Sequence, residues 1–207
     1  DNDGDLDLFF SNGHLNSVNG DNRQSNLLFE NDGLGRFADI SESSGVLATG
    51  KRIHRGAIFA DYNNDGKVDI YVTVNGQQVE DGNGNIVFDA NQGKGILLRN
   101  ETQMENSWIK VRLEGTESNR DGFGTMVNVR TADKLQKQAL SSGQGYFSSN
   151  AKELYFGLKE ADTIDQIDIL WPSGLHQSFQ NIPARQTVYI VEGEPLHQNT
   201  LILDQKK

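Results

Sequence analysis

The sequence has no cysteine and only 3 prolines among its 207 residues, and its 19 Lys and Arg are outnumbered by 29 Asp and Glu. Without cysteine, the chain has no disulfide, no thiolate metal site and no cysteine nucleophile. The formal net charge of −10 repels a phosphate backbone, so we expect no nucleic-acid partner. No apolar run approaches the roughly 18 residues that a membrane-spanning helix requires, and we therefore expect no membrane span.

Glycine, by contrast, is abundant, with 22 residues, and 35% of the residues are hydrophobic. This composition is typical of a globular protein with many turns between short strands. The apolar runs LDLFF and VDIYVTV are short and rich in β-branched and aromatic residues, and each follows an Asp-rich stretch. The sequence therefore predicts an all-β fold.

Two pairs of segments repeat along the chain. DNDGDLDLFFSNG at 1–13 matches NNDGKVDIYVTVNG at 63–76, and NLLFEN at 26–31 matches ILLRN at 96–100. The matched residues are Asp3 with Asp65, Gly4 with Gly66, Asp7 with Asp69, Leu28 with Leu97 and Asn31 with Asn100. A repeat unit of about 60 residues is typical of β-propeller blades. A closed propeller needs roughly 4 to 8 blades, so these two blades do not close a ring. The extra residues at 79–89 of the second copy predict a hairpin.

The second Asp-rich loop, 61–69, has the spacing of a cation-binding loop. Oxygen-bearing side chains occupy loop positions 1, 3, 5 and 9, which are Asp61, Asn63, Asp65 and Asp69. Gly66 permits the sharp turn, and Lys67 at position 7 would contribute its backbone carbonyl. Several hard oxygen ligands favour Ca²⁺ over zinc or copper. The alternative is a turn without an ion, since turns commonly use Asp, Asn and Gly.

The first Asp-rich loop, 1–7, aligns with the second but begins inside the pattern. Its acidic residues Asp1, Asp3, Asp5 and Asp7 take loop positions 3, 5, 7 and 9, and position 1 would precede the chain. We therefore expect an incomplete or more weakly occupied calcium site here, in a chain that represents the C-terminal part of a longer protein. A third acidic segment, 81–89, lacks the glycine at position 6 and is interpreted as a hairpin tip.

The flanking residues carry a family resemblance. GAIFADYNNDGKVDIYV at 56–72 resembles the FG-GAP/VCBS repeat, the blade of integrin-α-like propellers. NSWIKVRLEGTESNRDGFGTMVNVR at 106–130 and IDILWPSG at 167–174 resemble the ASPIC/UnbV domain of cartilage-acidic-protein-like proteins. The resemblance implies the last blades of a calcium-binding β-propeller followed by a small β-sandwich or barrel domain. We expect propeller blades over 1–104, the ASPIC/UnbV domain over 105–193, and a tail or linker over 194–207.

No catalytic or organic-cofactor site is predicted. His54, in KRIHRG, is interpreted as part of a solvated strand edge, and His14 as a structural residue at a strand end. The glycine-rich segments 121–124 and 142–146 are interpreted as tight β connections, because neither opens a helix that would bind phosphate. The sequence leaves open an enzymatic function that uses pairs of carboxylates brought together from different blades.

The expected function is that of a secreted, extracellular or cell-surface protein, with the periplasm as a further location. It would bind Ca²⁺ and serve adhesion, scaffolding or surface binding without catalysis, with a protein or a glycan of the cell surface or matrix as partner. One alternative is a carbohydrate-binding or carbohydrate-active propeller, in which exposed aromatics such as Tyr71, Tyr146 and Trp171 would line a groove. Another is a structural subunit that self-associates through a blade edge.

Overall fold

The computed structural model describes residues 1–18, 21–89, 93–103 and 105–196, and this part of the chain is all-β, as predicted. The strands of the first part are β1 (Leu8–Phe10), β2 (Gly13–Val18), β3 (Asp21–Arg23), β4 (Leu27–Asn31), β5 (Phe37–Asp39), β6 (Ile53–Ala60), β7 (Asp69–Asn75), β8 (Gln77–Glu80), β9 (Ile86–Asp89) and β10 (Ile96–Leu98). Those of the second part are β11 (Ser107–Glu114), β12 (Met126–Arg130), β13 (Leu135–Ala139), β14 (Glu153–Lys159), β15 (Thr163–Leu170), β16 (His176–Pro183) and β17 (Gln186–Val191). A short 3-10 helix spans Val46–Thr49.

Two three-stranded antiparallel sheets correspond to the two copies of the sequence repeat. Their strand orders are β1-β4-β5 and β10-β7-β6. In the first sheet Phe9 pairs with Leu28, and in the second Tyr71 pairs with Leu97. The strand after each Asp-rich loop therefore pairs with the matched partner segment in the same register, which confirms the predicted repeat.

The extra residues of the second copy form the predicted hairpin, with β8 and β9 paired antiparallel from Gln77↔Asp89 to Glu80↔Ile86. Its tip is held by Asp81, whose backbone N–H donates to Asn85 O over 2.8 Å. The Asp81 carboxylate accepts the N–H groups of Asn83 and Asn85, each over 2.9 Å. Asp81 acts here as a turn residue, as the sequence suggests.

The second part of the chain is a β-sandwich. Its sheets have the orders β14-β11-β17 and β13-β12-β15-β16, and β11 pairs with β17 in parallel. Alternating residues of both sheets face one apolar core, and Ile109, Val111, Val127 and Val129 lie in it with at most 1% exposure. Trp171 also lies in this core, 1% exposed, and its indole N–H donates to Gln177 Oε1.

His54 corrects one interpretation of the sequence, because it lies in β6 and is buried rather than at a solvated strand edge. Its backbone N–H and its ring Nδ1 both contact Asn12 O, at 3.1 and 3.0 Å. The histidine thus joins the two blades. Burial lowers the pKa of His54, and the Arg52 charge acts in the same direction, while the Asn12 and Gln24 carbonyls oppose them.

Candidate metal centre

The second Asp-rich loop is built around the buried carboxylate of Asp61, which follows β6 directly. Its Oδ1 accepts the Asp65 N–H and its Oδ2 accepts the Gly66 N–H, each over 3.0 Å. Gly66 has φ 84°, a left-handed conformation that lets the loop fold back over Asp61. The backbone thus fixes the orientation of the carboxylate at loop position 1.

Asp69, at loop position 9, is also buried and begins β7. Its Oδ2 accepts the Tyr62 N–H over 3.2 Å, and its Oδ1 accepts the Asn100 N–H over 2.8 Å. The amide of Asn100 donates in turn to Val68 O. Asp69 therefore ties the loop to the segment that follows β10.

The first repeat contains the same arrangement at the matched residues. Asp7 Oδ1 accepts the Asn31 N–H over 2.9 Å, and the Asn31 amide donates to Leu6 O over 3.2 Å. Because the same hydrogen bonds occur in both copies, the Asn at the end of the NLLFEN and ILLRN segments is a structural part of each loop. The sequence repeat marks Asn31 and Asn100, but the ligand spacing alone does not include them.

The middle of the second loop is more exposed, and its side chains contact one another. Asn63 Nδ2 donates to Asp65 Oδ2 over 2.8 Å, and the Lys67 N–H donates to Asp65 Oδ1 over 3.0 Å. Within the described residues, no three acidic or histidine side chains converge as a metal-ligand set. The donor chemistry of Asp61, Asn63, Asp65 and Asp69 suits Ca²⁺.

In the first loop, the Asp5 carboxylate has both oxygens buried without a hydrogen-bond partner among the described residues. Burial and the charge of Asp3 raise the pKa of Asp5, while the charge of Lys134 lowers it. Asp1 and Asp3 instead accept backbone N–H groups two residues ahead, at 2.9 and 3.0 Å. A buried carboxylate without a partner is costly, and a bound cation would offset that cost.

Lys110 of the sandwich reaches the second loop and is fully buried. Its ammonium lies 3.3 Å from Asp61 Oδ2, 2.7 Å from Asn64 Oδ1 and 3.7 Å from Glu153 Oε2. The same nitrogen lies 5.8 Å from the centre of the Tyr155 ring. A buried ammonium requires such partners, and here they come from both domains.

Tyr155 and Glu153, both in β14, complete this network. The Tyr155 hydroxyl accepts the Asp61 N–H over 3.0 Å and donates to Glu153 Oε2 over 2.6 Å, while Glu153 also pairs with Arg112. Burial raises the pKa of Tyr155, and the neighbouring carboxylates of Glu153 and Asp61 add to the effect, so the hydroxyl stays protonated.

The sandwich also contacts the backbone of both Asp-rich loops. A Cβ on Gly66 would come within 2.0 Å of the Trp108 ring, so the indole lies directly against that glycine. The Lys159 N–H donates to Asn2 O over 3.1 Å, and the Asn106 amide donates to Asp1 O over 3.0 Å. The two candidate metal loops are therefore both covered by the second domain.

The sequence predicted that Asp61 and Asp69 share one loop. The structure adds three residues to this loop that the ligand spacing does not indicate: Lys110, Asn100 and Trp108. Strand alternation could have flagged Lys110, because the residue lies on the face of β11 opposite Ile109 and Val111. Only the docking of the sandwich onto the blades shows that Lys110 is buried on this opposite face.

Two protein families match the chain. The model of the FG-GAP-like repeat matches residues 1–72, and that of the ASPIC and UnbV domain matches residues 115–196. No curated protein matches the chain in sequence. FG-GAP repeats are typical of extracellular or surface proteins, and within the described residues no helix is long and apolar enough to cross a membrane. The two matches confirm the resemblance to an FG-GAP repeat protein with a following ASPIC/UnbV domain.

Proposed function

We propose that this protein is a secreted or surface-exposed calcium-binding scaffold, in which ions in the Asp-rich loops stabilise the blades and the docked sandwich. It would present a rigid surface to a cell-surface or matrix partner and catalyse no reaction. The observation that carries the proposal is the buried carboxylate of Asp5, which has no hydrogen-bond partner among the described residues, in a loop that already contains Asp1, Asp3 and Asp7.

Asp61, Asn63, Asp65 and Asp69 would hold the ion of the second loop, together with the carbonyl of Lys67. The ion would neutralise carboxylates that otherwise repel one another at short range. Because Asp61 also contacts Lys110, an ion that stabilises this loop would also stabilise its contact with the sandwich. Calcium sites with Kd values of about 10⁻⁴–10⁻³ M suffice outside cells.

The burial of His54 does not favour a catalytic role for this residue. His54 is buried, and its Nδ1 contacts Asn12 O, so this ring nitrogen is occupied by a backbone contact. A general base must reach the proton that it removes from a substrate. His54 instead contributes to packing between the blades.

Thermal unfolding with and without calcium tests the proposal. An ion that binds only the folded state at ten times its Kd adds about 1.4 kcal/mol, which raises the melting temperature by about 3–5 °C for a chain of this size. Asp69→Asn should remove a large part of this response. The matched control is Asp81→Asn, because Asp81 is a turn aspartate outside both Asp-rich loops. An identical melting temperature in millimolar calcium and in chelator would contradict the proposal.

A further inference from the structure

A cleft of about 370 Å³ opens where the sandwich meets the two Asp-rich loops. We call it the interdomain cleft, and Trp108 forms its aromatic wall. The Trp108 ring is half-buried, because one part of it lies against Gly66 while another part borders the cleft. The volume is within the about 300–1,000 Å³ range of small-molecule sites, and such sites commonly lie between domains.

The residues that line the interdomain cleft include two charges of each sign. Two cations, Lys67 and Arg185, face two carboxylates, Asp65 and Glu105. Because neither sign is in excess, the cleft does not select a strongly charged ligand, and the net charge of −10 disfavours a polyanion. The lining offers hydrogen-bond donors and acceptors side by side.

Several of the polar groups are held in place before any ligand binds. The Arg185 guanidinium donates to Asp162 Oδ1 over 2.8 Å and to Glu105 O over 2.9 Å, and its backbone N–H donates to Trp108 O over 2.7 Å. Arg185 has φ 58°, a left-handed conformation that is uncommon for a residue with a side chain. The Asn2 amide is fixed by donating to Gly66 O over 2.9 Å. Such preorganisation lowers the entropic cost of binding a ligand.

We propose that the interdomain cleft binds a neutral saccharide, with the apolar face of one sugar ring on the Trp108 indole. Each sugar hydroxyl both donates and accepts a hydrogen bond, which matches the mixed donors and acceptors of Lys67, Arg185 and Asp65. This inference goes beyond the proposed calcium-binding scaffold and does not require a bound ion. The sequence suggested Trp171 as one of the exposed aromatics of a carbohydrate groove, but Trp171 is buried in the core of the sandwich. The aromatic contact is therefore assigned to Trp108.

Tryptophan fluorescence of the whole chain tests this assignment, because the chain has only 2 tryptophans and Trp171 is buried. The probes are short oligosaccharides of glucose, xylose, mannose and galactose, with an oligogalacturonide as the anionic comparison. Titrations are made in millimolar calcium and again in chelator. We expect a saturable emission change with at least one neutral probe, and calorimetry gives its affinity.

Trp108→Phe should abolish the emission change and weaken the calorimetric affinity by about ten-fold, because a smaller ring covers less of the sugar face. Arg185→Gln should weaken binding as well, whereas Tyr146→Ser, which removes an exposed aromatic that does not line the cleft, should leave it unchanged. The inference is overturned if no neutral probe binds in either buffer, if Trp108→Phe binds as well as the parent, or if the oligogalacturonide binds best. The calcium response of the melting temperature is measured separately, so failure of one proposal leaves the other intact.

Discussion

Lys110 Nζ lies 3.3 Å from Asp61 Oδ2, so a buried cation of the sandwich contacts the first residue of the second Asp-rich loop. Both side chains are at most 1% exposed. One ion pair therefore links the fold of the loop to the docking of the following domain. Substitutions at this link and at the other buried polar groups should change the stability of the protein measurably.

Replacing Lys110 with Met should lower the free energy of unfolding by about 3–5 kcal/mol, because it leaves the buried Asp61 carboxylate without its cation. The matched control is Lys152→Met, since Lys152 pairs with Asp121 at 2.7 Å but both side chains are largely exposed. The control should cost about 1 kcal/mol or less. Denaturant unfolding gives both values, and equal losses would contradict a special role for Lys110.

Gly66→Ala should destabilise the protein more than the backbone conformation alone explains. The left-handed φ of Gly66 costs an alanine about 1–2 kcal/mol, and its Cβ would also overlap the Trp108 ring at 2.0 Å. Gly35→Ala separates the two effects, because Gly35 has φ 80° and its new Cβ would meet no described residue within 4 Å beyond its chain neighbours. We expect Gly35→Ala to show the conformational cost only. Similar losses in both variants, measured by thermal unfolding, would mean that the indole moves aside.

Glu192→Gln should destabilise the sandwich by about 2–3 kcal/mol at neutral pH, because the buried carboxylate accepts N–H groups from Thr116, Glu117 and Ser118. Burial would raise the pKa of Glu192, but hydrogen bonds from Ser173, Ser118 and Thr116 outweigh it and lower the pKa to about 2. Since the folded pKa lies below the ordinary value of 4.5, this contribution is complete above about pH 4.5 and is lost as the pH falls toward 2.

The variant should therefore be less sensitive to acid than the parent over that pH interval. Glu194→Gln is the matched control, since Glu194 is two residues away and exposed. Unfolding midpoints measured from pH 6 down to pH 2 check the sign. If the parent and the Glu192→Gln variant lose the same stability between pH 6 and pH 2, the lowered pKa of Glu192 is contradicted.

His54 should make the contact between the blades sensitive to mild acid. Its pKa is lowered in the folded state, chiefly by burial, so the folded protein favours the neutral ring. Stability is therefore complete above the ordinary value of 6.5 and declines as the pH falls below it. His54→Asn, which keeps a donor near Asn12 O, should flatten this decline, whereas His176→Asn, at an exposed position, should not. Proton NMR titration of the His54 ring gives the pKa directly.

The periodic patterns of the sequence predicted much of the fold. Ile109 and Val111 in β11, like Val127 and Val129 in β12, alternate with polar or charged residues and are buried, because side chains alternate between the faces of a strand. The repeat predicted that β1 and β7 are equivalent strands, and the polar insert predicted the hairpin of β8 and β9. These features depend on neighbours in sequence or on one repeat unit, which the residues themselves encode.

The buried polar residues were harder to predict. Lys and Glu usually face water and His is intermediate, and the immediate neighbours of Lys110, Glu192 and His54 in the sequence do not show burial. Each is buried because a segment more than 40 residues away supplies its partner, as Asn12 does for His54 and Asp61 for Lys110. The ligand set of the two Asp-rich loops stays a prediction that calcium titration can test.

The sequence by itself determined the all-β class, the duplicated blade unit, and the positions of the oxygen-bearing side chains in the two loops. Local spacing sets these features, because a tight turn and an alternating strand need only nearby residues. The tertiary structure decided that the sandwich lies over both loops, that Lys110 enters the second one, and that Trp108 borders a cleft. These outcomes depend on the contact between the blades and the sandwich, in which both surfaces bury charged and apolar groups. No single segment of the chain specifies that contact.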